Sequence, residues 1–180
     1  LLLNYNNTGV VLYDTDGEAF YSFGTADRGE RLSLDQISDV TEQALLAAED
    51  RNFYEHGGFS VTSILGALLA NVSSGDFTAY GGSTLTQQLA KNTVLYDDQT
   101  IFRKYQELAI AVAIEQQYTK DQILDLYLNS VYYGEGAFGI GNAAKVYFGK
   151  SAADLSLAEA SMLIGVLPAP SAYSPISGSM

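Results

Sequence analysis

Gly81-Gly82-Ser83-Thr84-Leu85-Thr86-Gln87-Gln88-Leu89-Ala90-Lys91-Asn92 is the stretch from which the rest of the chain can be read. Two glycines let backbone approach a ligand closely or turn where other residues are barred. Ser83 or Thr84 can cap a following helix, and Thr84-x-x-Gln87 has capping-box spacing. On that helix Thr84, Gln87, Gln88 and Lys91 fall along one side, while Leu85 and Leu89 share another. Its N-terminus would offer free N–H groups and a positive dipole end, and Lys91 adds a full charge one to two turns on. A phosphate-bearing group suits such a place. The same spacing also describes a polar surface helix with an apolar back.

The chain has 180 residues, enough for one domain, or one domain with a small subdomain, around a real core. Hydrophobic residues make up 47% and charged ones 17%, which describes a folded protein with a thinly charged surface. No apolar run is long enough to span a bilayer. The sequence begins at Leu1-Leu2-Leu3 without an initiator Met and reads as an excised piece, from which a signal or anchor can have been removed. The absence of cysteine excludes disulfides and thiolate metal sites. A net charge of −12 argues against nucleic acid as a partner and against broad adhesion to anionic lipid. A bound anion must then be held locally, and Lys91, Arg103 and Lys104 are close together in sequence.

Residues 9–24 place an Asp-Gly turn between two aromatic and β-branched runs, the pattern of a hairpin. From Leu34 the pattern turns helical, with Asp35 as N-cap and Ile37, Val40, Ala44, Leu45 and Ala48 at three- and four-residue spacing. That helix runs into Glu49-Asp50-Arg51-Asn52-Phe53-Tyr54-Glu55-His56-Gly57-Gly58. A carboxylate at a helix C-terminus faces the negative end of the dipole, a poor place for a structural acid and a better one for a general base. Glu49 and Asp50 can equally be solvated ends of the helix. His56, the only histidine, reads as a hydrogen-bonded turn residue, with no second histidine to build a metal site. Residues 62–72 form a short helix that is apolar on nearly every side, suited to a core or to a lobe dipping into a membrane surface. A long helix follows from Ile101 to Tyr118, with an apolar stripe of Ile101, Tyr105, Leu108 and Val112 and an Arg103–Glu107 pair on another face. Thr119-x-x-Gln122 caps a helix carrying Ile123, Leu124, Tyr127, Leu128 and Val131. Another helix is expected over 137–148. Ser156-x-x-Glu159 opens a last one, Leu157 to Leu167, stopped by Pro168 and Pro170. The sum is a mainly α chain with a small N-terminal β element over 1–33.

Five ordered motifs carry a resemblance that covers nearly the whole chain. They are Glu49-Asp50 with Phe53 and His56-Gly57; the Gly81–Asn92 stretch; Arg103-Lys104-Tyr105-Gln106-Glu107; Ile123-Leu124-Asp125-Leu126-Tyr127-Leu128-Asn129 running to Tyr133-Gly134; and Glu159-Ala160 through Leu167-Pro168-Ala169-Pro170 to Tyr173-Ser174-Pro175. In these the chain resembles the glycosyltransferase (transglycosylase) domain that polymerises bacterial peptidoglycan, found alone or at the front of bifunctional penicillin-binding proteins. The resemblance implies one lysozyme-like domain over 1–180 with a small membrane-contacting lobe at about 59–80. It implies lipid II and a growing lipid-linked glycan as substrates, a place on the outer face of the cytoplasmic membrane, and a possible C-terminal transpeptidase domain. Glu49 is then the base and Glu107 a second acid that positions Arg103 or Lys91 or helps the leaving group or a metal. Asp50, Phe53, His56, Ser83, Thr84, Gln87, Gln88, Lys91, Arg103 and Lys104 are the implied substrate-binding residues.

Two departures stand out. Gly66 and Gln99 occupy positions where the family commonly has basic residues, so the site should be less positive than usual. A divalent cation, Mg or Mn, then compensates, or donor affinity or activity is lower. A lipid II-binding module without turnover is the alternative reading, and a lysozyme-type hydrolase with two carboxylates across a glycan bond is a third.

Overall fold

Ser33 decides where the first long helix begins. In the computed structural model, which describes residues 10–13, 19–23, 31–59, 83–94 and 101–178, the Gln36 side chain folds back to accept the Ser33 N–H at 3.0 Å. This capping box closes a 3-10 turn over Leu34–Gln36. Ile37 then leaves helical space (φ −112, ψ 142) and is buried. Helix α1 therefore spans Asp39–Glu49 and starts later than the expected Leu34, with Asp35 inside the preceding turn and not at an N-cap. Ser38 stands before it, its hydroxyl 2.8 Å from that of Thr41.

The remaining described helices are α2 (Leu85–Val94), α3 (Ile101–Gln117), α4 (Lys120–Ser130), α5 (Ile140–Phe148), α6 (Leu157–Val166) and the short α7 (Pro170–Tyr173). The chain is thus mainly helical. Strands β1 (Val10–Tyr13) and β2 (Ala19–Phe23) pair antiparallel, with Val10 opposite Phe23, Leu12 opposite Tyr21 and an irregularity between Leu12 and Tyr13. The expected Asp-Gly turn, the helix expected at 62–72, the expected small lobe beyond Phe59, and Gly66, Gly81, Gly82 and Gln99 lie outside the described residues. Among the described residues no helix is long and apolar enough to cross a membrane.

Two compact units make up the chain, Leu1–Glu42 with Leu128–Met180, and Gln43–Tyr127; the divisions fall inside α1 and α4. In the first unit Asn129 clamps the backbone of Leu32, accepting its N–H at 2.9 Å and donating to its carbonyl at 2.8 Å. Residues after α4 form a tight turn in which Tyr132 and Phe138 bridge. Gly139 closes it at φ +77, where an added Cβ would stand 2.7 Å from the Asn129 carbonyl oxygen, so no side chain fits. Ala137 and Gly139 give their N–H groups to this turn, which is why α5 begins at Ile140 and not at 137. Ser156 and Glu159 cap α6 reciprocally. Pro170 does more than end a helix: it opens α7 at a first-turn position, where its missing N–H is no loss. The carboxylate of Glu135 accepts from Ser174 at 2.5 Å and from Ser177, and these hydrogen bonds hold its pKa below the ordinary value.

The second unit packs around Leu45, Phe53, Leu85, Leu89, Ala111, Ile114, Ile123, Leu124 and Tyr127, all buried. On α3 the buried stripe is Glu107, Ala111 and Ile114. Of the stripe expected there, Tyr105 is 74% exposed and Leu108 and Val112 are half-buried. The rotation has a steric cause. Gly58, at φ +83, sits so close to α3 that a Cβ would lie 3.0 Å from the Ala111 carbonyl carbon and oxygen and from the Val112 nitrogen. Small Ala111 permits that approach, and a count of bulky residues passes over it.

Candidate active site

Thr84 starts α2, and its side chain shows what lies at the N-terminus of that helix. Its N–H goes to Gln87 Oε1 at 2.9 Å, and its hydroxyl oxygen accepts the Gln87 N–H at 3.2 Å. The same hydroxyl donates to the Gly58 carbonyl at 2.9 Å, tying α2 to the turn that follows α1. Thr84, Thr86 and Gln87 are all buried, so this is no polar surface helix. Polar groups here are buried because each has a partner.

Asp50 completes the helix start. Its carboxylate is 7% exposed as a residue and accepts the Leu85 N–H at 3.0 Å, while His56 Nε2 lies 2.9 Å from both of its oxygens. Negative charge at a helix N-terminus is favourable, so Asp50 fills the role expected for a bound phosphate. The N–H groups of Thr84, Leu85 and Gln87 are thus engaged within the protein and are not free for a ligand. His56 is indeed a hydrogen-bonded turn residue. With Nε2 against a carboxylate, Nε2 carries the proton, and Nδ1 is buried without a partner among the described residues. Phe53 is fully buried, edge-on to Tyr54 and His56, with the Lys120 ammonium 4.4 Å from its ring centre. Its place is in the core, with no surface to offer a ligand.

Glu49 ends α1 half-buried. Gln88, one turn into α2, donates from Nε2 to Glu49 Oε2 at 2.9 Å. Tyr127 on α4 donates its hydroxyl to Gln88 Oε1 at 2.9 Å. Tyr127 was legible only as a core residue, which its ring is; the hydroxyl's reach across to α2 had no local signal. Burial, and then the charge of Glu49, raise its pKa well above the ordinary phenol value.

A second cluster forms at the start of α3. Lys104 donates to Glu107 Oε1 at 2.5 Å and to the Ser83 hydroxyl at 2.6 Å. Glu107 is 2% exposed, and its ion-pair partner among the described residues is Lys104; the side chain of Arg103 lies outside them. Lys91 is exposed, without an ion-pair partner among the described residues. Among those residues no group of three or more acids or histidines lies together to hold a metal ion. The unit therefore carries a half-buried carboxylate on a fixed hydrogen bond, able to take a proton, and ammonium groups at the surface, able to attract an anion.

A profile of the family described as Transglycosylase matches residues 16–179. Penicillin-binding protein 1A of Neisseria gonorrhoeae is 44% identical over 167 residues, covering 93% of this chain and 21% of that protein. Its counterpart in Neisseria lactamica is 42% identical over 167 residues, with 93% and 21% covered. Penicillin-binding protein 1A/1B of Bacillus subtilis is 42% identical over 167 residues, covering 92% of this chain and 18% of that protein. The chain spans about a fifth of the length of these relatives. A match over nearly all of its length to one family, and to relatives well above 30% identity, means that this chain belongs to the transglycosylase family.

Proposed function

We propose that the chain is a peptidoglycan glycosyltransferase that polymerises lipid II into β-1,4-linked glycan. The observation that carries this reading is Glu49, half-buried at the end of α1 with Oε2 held by Gln88. The acceptor's 4-hydroxyl attacks the donor sugar C1 and loses its proton to Glu49. The C1–oxygen bond to polyprenyl pyrophosphate breaks, and the electron pair leaves on the pyrophosphate. Lys91, Lys104 and Arg103 offset that charge. Glu107 holds Lys104 in place for this task, while Asp50, His56, Thr84 and Gln87 build the helix start that presents Gln88 and, beside Lys104, Ser83.

The domain is lysozyme-like, with residues at about 59–80 forming the lobe that meets the membrane on the outer face of the cytoplasmic membrane. In a longer protein a transpeptidase domain accompanies it. Support for this comes from relatives named penicillin-binding proteins, of whose length the match takes about a fifth. The test is glycan-chain formation from purified lipid II in detergent, comparing the chain with Glu49→Gln at equal fold content. The parent should polymerise and the variant should be slower by about 10²–10⁴-fold, the usual worth of general-base assistance. A variant as fast as the parent removes Glu49 as base. A parent that binds lipid II without extending it makes the chain a binding module.

A further inference from the structure

The side-chain amide of Gln88 can face its surroundings two ways round, and its two neighbours decide between them. An ionised carboxylate only accepts hydrogen bonds, so the Gln88 amide must turn its NH2 to Glu49. Oε1 then faces Tyr127, whose hydroxyl must donate. The phenol is suited to this, because burial and the nearby carboxylate make it hold its proton. With the carboxylate ionised, this arrangement satisfies both bonds. Glu49 Oε2 is occupied by this chain of contacts, and among the described residues no hydrogen bond is made to Oε1.

We propose that Tyr127 is a positioning residue of the transfer reaction: through Gln88 it fixes the Glu49 carboxylate so that Oε1 is the oxygen that receives the acceptor's proton. The inference rests on the reading of Glu49 as base. Tyr127 touches no substrate; it is 1% exposed. Its hydroxyl acts two contacts away: by donating to Oε1 it ties the far end of the Gln88 amide down, so that the NH2 stays on Glu49 Oε2. Loss of that hydroxyl leaves the core ring in place and the amide free to turn.

Two measurements test this, one of them without turnover. Solvent exchange of the Gln88 side-chain amide protons is followed by NMR, the signals being assigned by their absence in Gln88→Ala. Tyr127→Phe should speed that exchange by about two- to tenfold, the worth of one net hydrogen bond. Unchanged exchange overturns the inference, whether or not the chain makes glycan. With lipid II, Tyr127→Phe should lower kcat about tenfold while KM stays within about twofold, as misplacement of a catalytic group does. In a Gln88→Ala background the same substitution should change kcat by less than about twofold. Equal losses in both backgrounds would make Tyr127 a core residue only and overturn the inference. Faster amide exchange in a chain whose parent makes no glycan supports the placement of Gln88 and refutes the function instead.

Discussion

Replacing Asp50 by alanine should loosen α2 from the turn that precedes it. The carboxylate is buried and serves three donor contacts, the Leu85 N–H at 3.0 Å and His56 Nε2 at 2.9 Å from each oxygen. Without it the Leu85 N–H and the His56 N–H have no acceptor, at about 1–3 kcal/mol for each buried unsatisfied group. The helix also loses a partly buried negative charge at its start, worth up to about 2 kcal/mol. These effects share one side chain and do not add fully, so the expected loss is about 3–5 kcal/mol. Asp50→Asn keeps one carbonyl acceptor and should lose about 1–2 kcal/mol. For a domain of this size about 2–4 °C in Tm corresponds to each kcal/mol, so the alanine variant should melt about 6–20 °C below the parent and the asparagine variant about 2–8 °C below. Thermal unfolding followed by circular dichroism reads both. An alanine variant melting within about 2 °C of the parent refutes the anchoring role of Asp50. So would a His56→Ala loss that adds in full to that of Asp50→Ala, since the two share one contact.

Lys104→Met leaves the buried Glu107 carboxylate without its cation and should cost about 1–3 kcal/mol, less than a fully buried pair because Lys104 is half exposed. Urea unfolding of Lys104→Met, Glu107→Gln and the double variant should show a cost below the sum of the singles; additive costs remove the pair. Phe53→Leu should lower stability by roughly 1–2 kcal/mol while KM for lipid II stays within about twofold, since the ring is entirely in the core. A large KM rise at unchanged Tm would return Phe53 to the substrate surface. Glu159 has its pKa lowered from 4.5 to about 2 by hydrogen bonds from Lys150, then from the Ser156 backbone and hydroxyl. A lowered folded-state pKa stabilises above the unfolded value and is lost as pH falls, so the parent's Tm should drop more steeply from pH 4.5 to 2 than that of Glu159→Gln. Parallel curves would show that the carboxylate contributes nothing.

Much of the helical punctuation was legible because it is local. Thr84-x-x-Gln87, Thr119-x-x-Gln122 and Ser156-x-x-Glu159 each form the reciprocal cap that their spacing implies. The apolar face of α4 was legible too, since Ile123, Leu124, Tyr127 and Leu128 are all buried, as is Val131 just beyond the helix. Reading failed where a distant partner overrides size. The core face of α3 carries Glu107 and Ala111, an acid and a small residue, because a lysine and a glycine turn come to meet them. Asp50 serves a helix that begins 35 residues further on, and no local pattern marks that partner. Gln88 and Glu49 both stand in recognisable motifs, but the tyrosine behind them is hidden in an apolar stripe. Its ring obeys the helical period, and only its oxygen belongs to the site.

The carboxylate that seats itself on the first turn of α2 also bears on inhibitor chemistry. A pyrophosphate mimic aimed at that helix end would meet N–H groups already in use and a negative charge beside them. Among the described side chains, Lys91 and Lys104, both exposed, are the ones left to attract it. Attraction to exposed ammonium groups is screened over about 8 Å at physiological salt and over about 30 Å at 0.01 M. Compounds ranked in dilute buffer will therefore favour anions that lose their advantage at physiological salt. Neutral ligands that read the fixed amide of Gln88 and the carboxylate of Glu49 should keep their rank as salt is raised.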